Sequence, residues 1–261
     1  QQDNIDTHFS LIESLFRLFC SFFNHPDVIT TDDSNHIILL FHLLLSLDRP
    51  DLNLRIKTFA FDNIYWFAFS APDEVLQSLL TPVLIQTLSM LLQCEDQEDE
   101  DLHIPVKLSV FQAVERITLH GEPFSLFFVQ DQFNILETAV TWPNWSDDTK
   151  FSFITILRNF TTISNLTPTI KILESTPIIE LFDSILNVSS FRCQKEVCIV
   201  ICHILMYNQA PFIIFVLSKF SRFFGSLLSM INKGQHDYLT RVARLFRFFG
   251  NTRCGKLPKV H

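Results

Sequence analysis

Glycine is scarce in this chain, with 5 among 261 residues. Phosphate-binding loops and the tight turns of β-hairpins depend on glycine, so its scarcity disfavours nucleotide-binding loops and β architectures. The motifs GxSxG, GxxxxGKS/T, GxGxxG and HExxH are also missing. Their absence removes the standard nucleophile elbow, P-loop, dinucleotide fingerprint and zincin site. We therefore expect a protein without enzymatic activity and without a cofactor.

Charged residues are also sparse: Asp, Glu, Lys and Arg make up 18% of the chain, whereas apolar residues make up 48% and phenylalanine occurs 28 times. A chain of this composition folds around a large apolar core. The formal net charge of −8 disfavours non-specific binding of nucleic acid and suits a basic partner. We expect a protein or peptide partner and no nucleic acid.

Membrane-spanning segments are also lacking. Residues 197–217 form the one stretch of sufficient length without Asp, Glu, Lys or Arg. The sequence Tyr207-Asn208-Gln209-Ala210-Pro211 interrupts it, which is typical of a corner between two helices. Residues 1–10 lack the pattern of a signal peptide, and the six cysteines form no CxxC pair and lie mostly in apolar segments. We therefore expect no membrane contact, reduced core cysteines and a location in the cytoplasm, the nucleus or both.

An internal repeat determines the predicted fold. Four segments share one layout: an apolar run with helical spacing, a short corner that contains proline, and a second apolar run. The corner prolines are 51, 45 and 43 residues apart, close to the roughly 40 to 47 residues of armadillo and HEAT units. The segments are residues 54–92, 104–140, 150–186 and 195–231, with corners at Pro72, Pro123, Pro168 and Pro211.

Local sequence supports this interpretation. The longer first interval contains an acidic run at residues 95–101, with six carboxylates in seven positions, which indicates an inserted solvated loop. Within the units, apolar residues recur three or four positions apart, as in Val110, Val114 and Ile117. Proline suits the first turn of the helix after each corner, because a backbone N–H has no helical partner there.

The flanking segments complete the predicted organisation. Residues 1–53 are expected to form a divergent N-terminal unit with helices at 9–23 and 37–47. Residues 54–250 comprise about four units and a capping helix at 238–249, and residues 251–261 form a tail. Three arginines give the capping helix a charged stripe, at Arg241, Arg244 and Arg247. The predicted fold is all-α, a right-handed α-solenoid of about five armadillo- or HEAT-like units.

Over roughly residues 50–250 this layout resembles the armadillo superfamily and, within it, importin-alpha-like adaptors. In importin-alpha, a Trp followed four residues later by an Asn lines a concave groove that binds basic nuclear-localisation peptides. Trp66 and Ser70 match that spacing with Ser in place of Asn, and the later units contain no such pair. The resemblance implies a protein-binding adaptor or scaffold for nuclear transport that recognises basic peptides. The candidate partner-binding residues are Trp66, Ser70, Asp62, Arg116, Arg158 and His203.

A second function fits the same layout equally well. Stacked helical units also form structural or regulatory subunits of larger complexes, for example scaffolds of the phosphatase regulatory type. In that case the phenylalanine-rich faces are buried against a permanent partner. The sequence leaves a monomer and a hetero-complex subunit as alternatives.

Two clusters have competing interpretations. Cys193, Cys198, Cys202 and His203 are the densest group of potential metal ligands, and Cys198 and Cys202 share one helix face. No second ligand pair follows at zinc-finger spacing, so we expect buried core cysteines and no metal.

Trp142 and Trp145, between the second and third units, form the other cluster. They are either exposed anchors for a partner or rings that fill the gap between repeats.

Overall fold

A computed structural model describes residues 31–46, 53–93, 106–130, 139–207, 209–220 and 223–232, besides isolated positions 11, 14 and 18. Within these ranges the chain forms α-helices, one 3-10 helix and turns, and no strand occurs there. The all-α prediction is therefore confirmed for the described residues. The armadillo or HEAT type and the right-handed superhelix stay predictions.

The chain divides into two compact units, residues 1–138 and residues 139–261, called here the N-terminal and C-terminal units. The predicted boundaries after residues 53 and 250 stay predictions. The described helices of the N-terminal unit are α1 (Thr31–Ser46), α2 (Asn53–Ser70), α3 (Asp73–Gln77), α4 (Pro82–Gln93), α5 (Val106–Thr118) and α6 (Glu122–Val129).

The core of the N-terminal unit lies where α2 packs along α5. On α2 the fully buried side chains recur at helical spacing, with Phe61, Ile64 and Phe67 on one stripe. Helix α5 buries the opposing stripe around Phe111 and Val114. Each fully buried phenylalanine contributes about 2 to 3 kcal/mol, and α1 and α4 pack against the same pair.

The C-terminal unit repeats this arrangement. Its 3-10 helix (Trp142–Asn144) precedes α7 (Asp147–Phe160), α8 (Thr167–Leu173), α9 (Thr176–Val188), α10 (Phe191–Met206), α11 (Ala210–Lys219) and α12 (Phe223–Asn232). Here α7 packs along α10, as α2 packs along α5. The apolar residues that recur at helical spacing on α7 are all fully buried: Phe153, Ile156, Leu157 and Phe160.

Three of the four corner prolines occupy the predicted position in the first turn of a helix. Pro123, Pro168 and Pro211 lie in the first turn of α6, α8 and α11, and Pro72 immediately precedes α3. Gly121, which precedes α6, has φ = 115°, a conformation that L side chains rarely adopt. This corner therefore uses one of the few glycines for its backbone geometry.

In two of the predicted units, the second half was expected to be one helical run but forms two helices. Residues 73–93 form two helices, α3 and α4, and residues 167–188 form another two, α8 and α9. Two further prolines explain the breaks: Pro82 begins α4, and Pro177 lies in the first turn of α9. Proline has no N–H to bond to the preceding turn and its ring clashes with that turn, so it ends one helix and begins the next.

Helix boundaries differ elsewhere too. The predicted helix at 37–47 begins earlier, at Thr31. The stretch 197–217 is interrupted as expected, since α10 ends at Met206 and α11 begins at Ala210. None of the helices in the described ranges has the length and apolarity needed to span a bilayer. The predicted helices at 9–23 and 238–249, the arginines on the latter, the acidic run at 95–101 and the tail at 251–261 lie outside the described residues.

Candidate functional site

Two aromatic side chains of the N-terminal unit are exposed one turn apart on α2. Trp66 is 50% exposed and Phe69 is 55% exposed. Residues three positions apart on a helix are neighbours on its surface, so the two rings form one patch. The ring of Tyr65 contacts Trp66 edge to face, with centroids 5.2 Å apart. This contact holds the indole of Trp66 in place while leaving half of it accessible.

Helix α5 adds Arg116 to this patch. The guanidinium carbon of Arg116 lies 4.0 Å from the centre of the Phe69 ring, a distance typical of a cation–π contact. Leu119 follows one turn later and is also exposed. Asp62 lies on α2 one turn before Trp66 and is half-buried. We call Asp62, Trp66, Phe69, Arg116 and Leu119 the aromatic surface.

The charge of Arg116 is not balanced by a carboxylate. Among the described residues, no Asp or Glu lies within ion-pair distance of its guanidinium. Its Nε is buried and has no hydrogen-bond partner. Because the residue as a whole is partly exposed, its accessible area belongs to atoms other than Nε.

A histidine links α5 to the end of α2 and so fixes the position of the aromatic surface. Nε2 of His120 lies 2.5 Å from the carbonyl oxygen of Ala68, and Nδ1 lies 2.7 Å from Oδ1 of Asp73. A carbonyl oxygen only accepts, so Nε2–H of His120 donates to Ala68. Carbonyls in the last turn of a helix have no partner within the helix, and this bond supplies one.

Of the sequence-predicted site residues, the N-terminal unit brings together Asp62, Trp66 and Arg116. Ser70 is the last residue of α2, and its side chain lies outside the described residues. The Trp66–Ser70 pairing that the resemblance implies therefore stays a prediction.

Arg158 and His203, the remaining predicted site residues, lie in the C-terminal unit and bind partners there. Nη1 of Arg158 donates to Oε2 of Glu196 across 2.7 Å, in a pair that is largely buried. Nδ1 of His203 lies 2.9 Å from Oγ1 of Thr161. Both contacts join α7 to α10, so they stabilise the packing of these helices. Their predicted role in partner binding remains untested.

The C-terminal unit has a second arginine stacked on a phenylalanine. The guanidinium carbon of Arg192 lies 4.1 Å from the centre of the Phe151 ring, and Nη2 donates to Asp148. This arginine is exposed but its charge is paired. It makes the same kind of contact as Arg116, near the first turns of α7 and α10 rather than near the ends of the two helices, and it has a carboxylate partner.

The cysteine cluster lies in the core. Cys193, Cys198 and Cys202 are buried, as the sequence predicts, and none of the three forms a disulfide. Burial raises the pKa of Cys202 from its ordinary 9.0 to about 12, with a smaller contribution from Cys198. Burial also raises the pKa of Cys193. Among the described residues, no three His, Cys, Asp or Glu side chains are placed to hold a metal ion.

The two tryptophans near the start of the C-terminal unit have different environments. Trp145 is buried, its ring lies 5.0 Å from that of Phe153, and its Nε1 donates to Oγ1 of Thr141. Trp145 is therefore a core residue rather than an exposed anchor. Trp142 is half-buried, with Nζ of Lys150 5.7 Å from its ring centre.

Sequence reasoning found Trp66 and Arg116 but missed Phe69 and Leu119. The spacing of Phe69, three residues after Trp66 on the same helix, is a signal that was available in the sequence. The stacking of Arg116 on Phe69 had no such signal, because it depends on how α5 packs against α2.

Comparison with known proteins gives information on the fold. No protein-family model and no curated protein matches the chain. A solved crystal structure of an engineered protein is similar to it, with a TM-score of 0.66 over 90% of each chain and 15% sequence identity. At this identity the similarity supports the helical fold and carries no information on a ligand.

Proposed function

We propose that this chain is a non-enzymatic protein-binding adaptor, and that the aromatic surface of its N-terminal unit holds a peptide segment of the partner. The observation that carries the proposal is the exposed pair Trp66 and Phe69 beside the partly exposed Arg116. Tryptophan and arginine are enriched among the residues that dominate binding energy at protein interfaces. Their positions on packed helices favour binding, because little conformational freedom is lost when a ligand arrives.

Charge supports a basic peptide as the ligand. Residues 1–138 carry 21 acidic and 6 basic residues, a net charge of −15, whereas residues 139–261 carry 7 acidic and 14 basic residues, a net charge of +7. An acidic unit attracts lysine- and arginine-rich segments and accelerates their association. The Trp66 ring offers a flat wall for their aliphatic stems. The importin-alpha-like resemblance predicts the same class of ligand.

Location follows from the same proposal. An adaptor for basic peptides of the nuclear-localisation type works in the cytoplasm and the nucleus. The buried thiols of Cys193, Cys198 and Cys202, none of which forms a disulfide, suit a reducing compartment of this kind.

The test is peptide binding by the purified full chain, measured by fluorescence anisotropy with lysine-rich peptides that contain a leucine or phenylalanine. We expect affinity that falls as salt is added, because exposed charges are screened. Trp66→Ala is expected to weaken binding roughly 30-fold, the loss typical of a dominant interface residue at about 2 kcal/mol. Circular dichroism checks that the variant remains folded.

The matched control is Trp142→Ala, which removes a half-buried tryptophan from the C-terminal unit. It should leave peptide affinity unchanged. Absence of binding to every basic peptide, or equal losses in the two variants, would count against the proposal.

Exposed leucines and isoleucines outside the aromatic surface favour a second candidate, a structural or regulatory subunit of a larger complex. Leu39 and Leu43 are exposed one turn apart on α1, and Ile214 and Leu217 are exposed on α11. Such pairs are covered when a permanent partner is present. Light scattering separates the candidates: a subunit expressed alone should dimerise or aggregate, whereas a concentration-independent monomer supports the adaptor.

A further inference from the structure

We propose that Arg116 selects peptides of mixed charge, in which a basic segment carries a carboxylate at the position that covers Phe69. This inference rests on the proposed function, since it specifies the ligand of the same aromatic surface. It assigns Arg116 a specificity-determining role, distinct from the general attraction of an acidic unit for basic peptides.

The guanidinium of Arg116 contacts an aromatic ring and has no ion-pair partner among the described residues. One face of the group stacks on Phe69 at 4.0 Å, and Nε is buried without a partner. The remaining donors are the terminal nitrogens. Two parallel N–H groups of a guanidinium match the two oxygens of a carboxylate. The ligand group that fits here is therefore a planar anion approaching the end of the side chain.

Covering the aromatic rings makes such an anion favourable. A peptide that lies on Trp66 and Phe69 also removes water from Arg116, because Arg116 contacts Phe69 directly. Removing water from an unpaired charge is costly, and a paired carboxylate offsets that cost. A lysine at the same position would add repulsion between like charges. The best ligand therefore has its basic residues beside this position and an acidic residue on it.

In the C-terminal unit, an arginine in contact with a phenylalanine binds a carboxylate of the same chain. Arg192 stacks on Phe151 at nearly the same distance, and Asp148 accepts its hydrogen bond. Arg158 likewise pairs with Glu196. Each of these arginines has its anion within the chain, whereas Arg116 has none among the described residues.

The experiment compares three fluorescent peptides that are identical except at one central position, occupied by glutamate, glutamine or lysine between the same lysines and next to the same phenylalanine. With the full wild-type chain, we expect the glutamate peptide to bind roughly fivefold tighter than the glutamine peptide. The lysine peptide should bind weakest of the three.

Variants assign this preference to Arg116. Arg116→Gln should remove the difference between the glutamate and glutamine peptides, and Arg116→Glu should reverse the order in favour of lysine. The control is Arg192→Gln, which removes an arginine in contact with a phenylalanine of the C-terminal unit and should leave the order unchanged. Thermal melts of each variant check folding.

The outcomes are distinguishable from failure of the proposed function. If no lysine-rich peptide binds, the adaptor proposal itself fails. If the peptides bind equally, or if the glutamate preference survives in Arg116→Gln, the adaptor proposal stands and the role of Arg116 is overturned.

Discussion

The two units contain the same helix–helix element and differ in how its charges are compensated. In each, a long helix packs along the next long helix, and an arginine from the later helix stacks on a phenylalanine of the earlier one at 4.0 or 4.1 Å. In the C-terminal unit, carboxylates from the same pair of helices bind the arginines. In the N-terminal unit, the described residues supply no carboxylate to Arg116. Ion pairs therefore join the two long helices of the C-terminal unit, whereas the described contact of Arg116 in the N-terminal unit is with an aromatic ring.

The strongest test of the shared architecture removes the core of each unit in turn. Phe111→Ala and Phe153→Ala delete fully buried rings from α5 and α7. Each should lower the free energy of unfolding by about 3 to 5 kcal/mol, measured by urea denaturation. Phe153→Ala should also shift the emission of Trp145, which packs on it. A loss below about 1 kcal/mol in either unit would show that the two cores are not equivalent.

The second prediction compares the loss of a partner from the buried Arg158–Glu196 ion pair with the loss of Arg116. Glu196→Gln leaves the guanidinium of Arg158 without its anion and should cost roughly 2 kcal/mol of unfolding free energy. Arg116→Gln removes a cation that has no ion-pair partner among the described residues but contacts the Phe69 ring, so its cost should be about 0.5 to 1 kcal/mol. Equal losses in the two variants would contradict the distinction drawn between the two arginines.

Backbone geometry at the corner of the N-terminal unit predicts an intermediate effect. Gly121→Ala forces a side chain into φ = 115° with no atom within 4 Å of the new Cβ, so the cost is conformational, between about 1 and 2 kcal/mol. Gly225→Ala, inside α12 with equal space, is the control and should stabilise by about 0.5 to 1 kcal/mol. Thermal melts show directly whether each variant is more or less stable than wild type. Destabilisation by Gly225→Ala would contradict the explanation of the Gly121→Ala cost by backbone conformation.

The smallest of these effects on the unfolding free energy comes from a buried thiol of the C-terminal unit and is visible at alkaline pH. The folded pKa of Cys202, about 12, exceeds its ordinary 9.0, so the unfolded chain loses this proton first. The contribution of Cys202 to the unfolding free energy is complete below pH 9 and is lost as the pH rises toward 12. The loss amounts to about 1 kcal/mol by pH 10. The unfolding free energy of Cys202→Ala should therefore fall less steeply between pH 8 and 10 than that of wild type. Parallel slopes would contradict the burial argument.

Much of the fold could be predicted because helices and corners have local signals. The spacing of apolar residues such as Val110 and Val114 identified the buried stripe of α5, and Pro123, Pro168 and Pro211 occupy the first turns expected of them. Pro82 and Pro177 carried the same local signal and were overlooked, so four helices were predicted as two runs.

The candidate site was less predictable, because its properties arise between helices. Trp66 was identified by spacing, but the stack of Arg116 on Phe69 and the pairing of Arg158 with Glu196 depend on how one helix packs against another. The sequence alone gives no indication of which arginine finds a carboxylate. Arg116 and Arg158 therefore looked alike in the sequence and differ in the structure.

The hydrogen bonds that close the earlier helix in each unit have a consequence for local unfolding. His120 binds the carbonyl of Ala68 at the end of α2, and Tyr207 donates to the carbonyl of Ile163 after α7. In both cases the closing group comes from the end of the later helix, so neither terminus can fray without releasing the other. Paired ends of this kind exchange their amide hydrogens as one cooperative segment rather than as independent turns. Stepwise loosening from an exposed end would then proceed in increments of two helices.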